Sequence, residues 1–79
     1  MLAEALEHLV QGIVDSPDMV RVKTKHMRRG QLLEVRVAPE DLGRVIGRGG
    51  RTAKALRTVI GAIADDDQVR VDVIETDRQ

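Results

Sequence analysis

The sequence predicts an α+β domain with the element order α-β-β-α-α-β, and three observations carry that prediction. Apolar or β-branched residues alternate with polar ones through Val20, Val22 and Thr24, through Leu33, Val35 and Val37, and through Val69, Val71 and Val73, as half-buried strands require. Helical spacing instead marks Leu2, Leu6, Leu9, Val10 and Ile13, and again Ala53, Leu56, Ile60, Ile63 and Ala64. A G-x-x-G turn, Gly47-Arg48-Gly49-Gly50, stands between two short apolar, helix-like segments. No repeat, low-complexity tract or linker divides the chain, so residues 1–79 read as one domain with a loose tail from Glu75.

Each element has a local cause. The first helix carries Glu4, Glu7 and Gln11 on its outer faces and should stop around Val14, because Asp15-Ser16-Pro17-Asp18 is a turn cluster whose proline disfavours helix at the residue before it. Arg21, Lys23 and Lys25 fill the outward positions of the next strand, and Glu34 and Arg36 those of its partner. Between them Arg28-Arg29-Gly30-Gln31 supplies a tight turn, so residues 19–38 form one β-hairpin. Pro39 suits the first turn of a helix, Glu40 and Asp41 place negative charge at its N-terminus, and Leu42, Val45 and Ile46 form its buried stripe. The helix after the glycine turn turns Arg51, Lys54 and Arg57 away from its apolar stripe. Gly61 weakens it by about 1 kcal/mol relative to alanine, and Asp65-Asp66-Asp67 ends it.

Composition narrows the function classes. Seventy-nine residues leave little room for a catalytic cavity, which points to a binding module. With no cysteine and two histidines far apart, neither a disulfide framework nor a zinc site is expected, and no cofactor is implied. Glu4 and Glu7 stand where a secretory signal would be basic, and no apolar run approaches the roughly 18 residues of a membrane span, so a cytoplasmic protein is expected. Thirteen basic residues balance thirteen acidic ones, but the distribution is uneven. Residues 19–33 hold five basic residues and no acid, and residues 42–64 hold Arg44, Arg48, Arg51, Lys54 and Arg57 and no acid. A neutral chain segregated in this way can present a positive face of moderate affinity. There is no Phe, Tyr or Trp, so stacking on aromatic rings is excluded, and any nucleic acid must be held by backbone contacts, aliphatic surface and arginine planes.

The glycine turn is the site such a ligand would use. Glycine at both ends removes the Cβ atoms that would hold a polyanion away and admits φ angles that other residues resist. The N–H groups opening the following helix, together with its dipole, favour an anion there, and Arg48, Arg51, Lys54 and Arg57 add charge around it. A nucleotidase-type phosphate loop is ruled out. That motif needs a glycine where Val45 stands, a lysine where Arg51 stands, and a strand where residues 39–46 read as helix. No Ser/His/Asp or Cys/His set exists either, so no enzymatic activity is expected.

The run Val45-Ile46-Gly47-Arg48-Gly49-Gly50-Arg51-Thr52-Ala53-Lys54-Ala55-Leu56-Arg57, set in the α-β-β-α-α-β order, resembles the KH domain in its bacterial, type II arrangement. It is closest to the small stand-alone KH RNA-binding proteins of bacteria, the KhpA family, and the resemblance covers nearly the whole chain. That resemblance implies a three-stranded mixed sheet backed by three helices, with single-stranded RNA in a groove beside the G-x-x-G turn. It implies that the N–H groups of Arg48 and Gly49 approach phosphates while Gly47 and Gly50 permit the turn. Leu42, Val45 and Ile46 would form part of an apolar groove floor, and base edges would be met from the last strand, residues 69–73. Gly49 departs from the polar residue often found at the second variable position, which should make the loop more mobile. The resemblance further implies RNA chaperone or regulatory work linked to cell division and cell shape, self-association, and pairing with a larger KH protein of the KhpB (Jag) type.

Plainer readings compete at several positions. Arg21, Lys23 and Lys25 read first as an ordinary solvated sheet face. His8 and His26 have no chemical role to fill, and three consecutive aspartates at a helix end point apart rather than around a metal. The main competitor to RNA binding is a protein-pairing module, because a domain this small buries only about 60 % of its unfolded surface and gains from a partner.

Overall fold

A computed structural model describes residues 2–64 and 68–75. Helix α1 (Leu2–Gln11) is followed by strands β1 (Arg21–Met27) and β2 (Gly30–Val37), helices α2 (Leu42–Ile46) and α3 (Arg51–Ala64), and strand β3 (Val69–Glu75). Short 3-10 turns at Pro17–Met19, Pro39–Asp41 and Arg48–Gly50 lead into β1, α2 and α3. The class and order are those the sequence predicts.

Strand β2 is the centre of a mixed sheet of order β1-β2-β3, antiparallel to β1 and parallel to β3. A parallel neighbour needs a crossover, and α2 and α3 provide it. The helices cover one sheet face. Leu33, Val35 and Val37 of β2 meet Leu6 and Val10 of α1, Val45 of α2, and Leu56 and Ile60 of α3 in a single aliphatic core. Each such buried side chain contributes about 1.5–3 kcal/mol, so branched aliphatic packing alone does the work that aromatic residues do elsewhere. Helix α1 packs against β1 and α3, and α3 packs against β3, so α3 lies over the β3 side of the sheet.

Several local expectations change. Helix α1 ends at Gln11, although the N–H groups of Ile13 and Val14 still donate to the Val10 carbonyl at 2.9 and 3.3 Å and continue one loose turn. The hairpin turn is tighter than four residues: Met27 pairs with Gly30, so only Arg28 and Arg29 lie between the strands. Gly30 has φ 107°, and a Cβ there would overlap the backbone of Gln68. Leu9 and Ile63, expected on buried stripes, are exposed, as is Val59. The apolar stripe is wider than the core that receives it. Helix α3 runs unbroken through Gly61. Glu75 is the last residue of β3, paired with Val37, and not the start of a loose tail. Asp65-Asp66-Asp67 and the last four residues lie outside the described residues.

Two acids do something other than what their positions predict. Asp41, 1 % exposed, makes no side-chain cap bond at α2; its carboxylate instead accepts the N–H groups of Asp15 at 3.2 Å and Ser16 at 3.1 Å. It thereby ties the connection after α1 to the start of α2. Glu34, on the sheet face that no described helix covers, is only 8 % exposed because Lys25 of β1 (3.3 Å) and Arg36 of its own strand (3.2 Å) close over it. Burial pushes the Glu34 carboxyl up, but the hydrogen bond and charge of Lys25, with those of Arg36, outweigh it and hold the group below its ordinary value of 4.5.

Candidate nucleic-acid interface

Helix α2 is a single turn and a half, and its C-terminal bond runs from the Gly47 N–H to the Gly43 carbonyl at 2.8 Å. At Gly47 the chain takes φ 81° and ψ 168°, a conformation essentially reserved for glycine. There is also no room for a side chain, since a Cβ at Gly47 would overlap the backbone nitrogen and side chain of Thr52 in the first turn of α3. The Gly50 N–H closes the turn on the Gly47 carbonyl at 3.1 Å, and the Arg51 N–H bonds to the Arg48 carbonyl. The N–H groups of Arg48 and Gly49 take no part in these closures. Gly49 sits at φ 65°, ψ 18° with nothing within 4 Å of where a Cβ would stand. The turn is therefore rigid at Gly47 and open at its tip.

Arg48 and Gly49 are exposed, as are Arg51, Lys54 and Arg57. The three cations of α3 follow one another at i, i+3, a shallow spiral that leads away from the turn along about 9 Å of helix axis. It ends at the edge of the sheet. Arg57 lines an open depression of about 650 Å³ with Val69, Arg70, Val71 and Asp72 of β3. Among the described residues β3 pairs only with β2, so its outer edge is open toward this depression. The sequence could name the strand but not the residues. Arg70 and Asp72 alternate with the inward valines, which marks them as outward, but only the packing of α3 over β3 brings Arg57 beside them.

Other expected site residues fare differently. Leu42 and Ile46 are half-buried and present apolar surface beside the turn. Val45 is fully buried in the core, so it supports the turn by packing and cannot form the floor of a groove open to a ligand. Arg44 is drawn into an exposed ion pair with Asp15 at 3.2 Å, an interaction worth at most about 1 kcal/mol but sufficient to offset its charge locally. Among the described residues none of Arg48, Arg51, Lys54, Arg57 and Arg70 forms an ion pair. The described residues contain no cluster of three metal-ligating side chains and no helix long and apolar enough to cross a membrane.

A mixed β1-β2-β3 sheet backed by helices, with a G-x-x-G turn joining two of them, defines a KH domain of the type II order. The family model for the KhpA/KhpB KH domain matches residues 3–74, and the chain belongs to that family. It is similar to the RNA-binding protein KhpA of Leifsonia xyli subsp. xyli, with 68 % identity over 95 % of this chain and 99 % of the relative. It is 65 % identical to the RNA-binding protein KhpA of Streptomyces coelicolor over 98 % of this chain and 96 % of that one. The RNA-binding protein KhpA of Mycobacterium tuberculosis is 56 % identical over 99 % of this chain and 96 % of its own length.

Proposed function

We propose that this chain binds single-stranded RNA through the Gly47–Gly50 turn, with low sequence preference and without catalysis. The observation that carries this reading is the juxtaposition of an open, anion-accessible turn tip with a run of cations that form no ion pair among the described residues, Arg48, Arg51, Lys54 and Arg57, leading to the outer edge of β3. Phosphates sit against the N–H groups of Arg48 and Gly49, and bases rest on Leu42 and Ile46. Arg70 and Asp72 are the side chains of the last strand placed to meet base edges. The names of the relatives support RNA as the ligand. In this reading the chain works in the cytoplasm as one KH unit, as an RNA chaperone or regulator.

Pairing with a second copy, or with a larger KhpB-type KH protein, is a second role favoured by a specific observation. Val59 and Ile63 of α3 are 43 % and 57 % exposed and lie one turn apart on a single stripe. At about 100° per residue, its two residues lie roughly 120–180° around the helix from Lys54 and Arg57. A partner seated on it leaves the cationic flank open, so pairing and RNA binding are compatible.

The test is fluorescence anisotropy of a labelled single-stranded RNA pool with wild type and an Arg48→Asp/Gly49→Asp variant at two salt concentrations. Asp is among the residues that accept the left-handed geometry of Gly49, and the position is spatially open, so the variant should fold. Salt-sensitive binding that the folded variant loses is the expected result. Equal affinity in the two proteins would sink the assigned site.

A further inference from the structure

Beyond the turn and the β3 edge lies a second concentration of arginine. Arg28 and Arg29 form the two-residue turn of the hairpin, both exposed, and with Arg70 they line a smaller depression of about 400 Å³. Met27 and Arg70 line both this depression and the larger one that contains Arg57, so the two are continuous around the start of β3. Along that arc stand four arginines, 28, 29, 57 and 70, none ion-paired among the described residues, against one described acid, Asp72. Met27, 54 % exposed, supplies an apolar surface in the middle.

The centre of the uncovered sheet face is more mixed in charge. There Glu34 pairs with both Lys25 and Arg36, Asp72 sits beside Glu34 on the neighbouring strand, and the exposed Arg21 and Lys23 of β1 add positive charge. A polyanion crossing the sheet there would meet two carboxylates among these cations. One that keeps to the hairpin end meets arginines only, apart from Asp72 at the entry.

We propose that a single RNA strand continues past the β3 edge onto the hairpin turn, where Arg28 and Arg29 hold its phosphates and Met27 with the Arg70 guanidinium plane supports a base. This rests on the assignment of the Gly47–Gly50 turn as the primary clamp. Charge complementarity selects the occupant, because an arginine-lined arc with an aliphatic centre suits an alternating phosphate and base chain. With no aromatic residue anywhere in the sequence, aliphatic and guanidinium surfaces are what the protein has for base contact. The footprint then exceeds the roughly four nucleotides that a KH turn clamps by itself.

The experiment compares an RNA of about four nucleotides with one of about twelve, each titrated with wild type, the Arg48→Asp/Gly49→Asp variant, and an Arg28→Gln/Arg29→Gln variant, with circular dichroism confirming each fold. The hairpin variant should bind the short RNA as wild type does and the long RNA more weakly. Losing two phosphate contacts lowers the salt slope of long-RNA binding by about 1.4, so a fourfold rise in salt costs the variant about sevenfold less affinity than it costs wild type. Equal long-RNA affinity and equal salt slope in the hairpin variant and wild type would overturn the extended path while leaving the turn assignment intact. Undiminished binding of the short RNA by the Arg48→Asp/Gly49→Asp variant would overturn the turn assignment, and with it the path as drawn.

Discussion

Replacing Gly47 and Gly49 singly by alanine tests whether the turn is held by backbone geometry. Alanine at Gly47 must adopt φ 81°, ψ 168°, a region that costs a non-glycine residue about 1–3 kcal/mol. Its Cβ must also displace the Thr52 nitrogen and side chain, which means moving the first turn of α3 away from α2. Together these come to about 2–6 kcal/mol, since displacement of packed backbone adds about 1–3 kcal/mol of overpacking to the dihedral cost. Alanine at Gly49 meets no atom within 4 Å and adopts an ordinary left-handed conformation, at about 1–2 kcal/mol. Part of that is offset by about 0.4–1 kcal/mol from stiffening the unfolded chain. In a domain of this size 1 kcal/mol shifts the melting temperature by about 4–8 °C. Thermal melts followed by far-ultraviolet circular dichroism should therefore show Gly47→Ala melting at least about 8 °C below wild type and several degrees below Gly49→Ala. Trimming Thr52 to alanine should not rescue Gly47→Ala, because the Thr52 nitrogen and Cβ remain in the way. Equal melting temperatures for the two alanine variants would refute the steric account of Gly47.

Asp41→Asn should lower the unfolding free energy by about 2 kcal/mol, because an amide offers one acceptor oxygen to the two N–H groups of Asp15 and Ser16 that the carboxylate now satisfies. Urea unfolding checks this, and a midpoint within error of wild type would remove Asp41 from the list of structural anchors. The depressed Glu34 carboxyl makes a pH prediction. Its favourable pairing with Lys25 and Arg36 is fully present above the ordinary value of 4.5 and is lost as pH falls through the lower folded value. The melting-temperature gap between wild type and Glu34→Gln should thus hold steady at neutral pH and shrink only below 4.5. A gap that is unchanged down to about pH 3 would show that the ion pairs contribute nothing. Val59→Glu/Ile63→Glu should abolish self-association in sedimentation velocity while leaving RNA affinity unchanged, and coupled loss of both would place pairing and RNA on one surface.

The element order was legible because the strands and helices differ in period, and the valine alternation through β2 and β3 has no helical competitor. The turn was legible because Gly47-Arg48-Gly49-Gly50 is a contiguous motif. What escaped depends on contacts across the chain. Asp41 looked like a helix-start charge, and its true partners lie 26 and 25 residues earlier. Val45 and Ile46 are adjacent and equally apolar, yet one is sealed in the core and the other half-exposed. That difference is set by where α2 docks. Ile63 keeps helical register with Leu56 and Ile60 but is left 57 % exposed at the rim of the core. Arg70 could be marked as outward by alternation, but its approach to Arg57 follows from the parallel crossover, which no local pattern encodes.

A net charge of zero would ordinarily count against RNA binding, and the fold explains why it does not decide the matter here. The two acid-free stretches of the sequence, residues 19–33 and 42–64, are far apart along the chain, but the crossover through α2 and α3 brings Arg57 of the second to the same flank as Arg28 and Arg29 of the first, around the start of β3. The described acids that form ion pairs do so elsewhere: Glu34 takes up Lys25 and Arg36, and Asp15 takes up Arg44. Asp41 is turned inward on backbone N–H groups. Among the described residues, the cations outside these ion pairs include those of the turn, of the outer flank of α3, of the hairpin turn and of the β3 edge. Affinity on such a surface grows with the number of phosphates reached, because each contact releases counterions and adds about 0.7 to the salt slope for a single strand. The proposed path thus predicts weak binding of short RNA and a gain from a longer strand, which makes RNA length a more sensitive probe of this surface than RNA sequence.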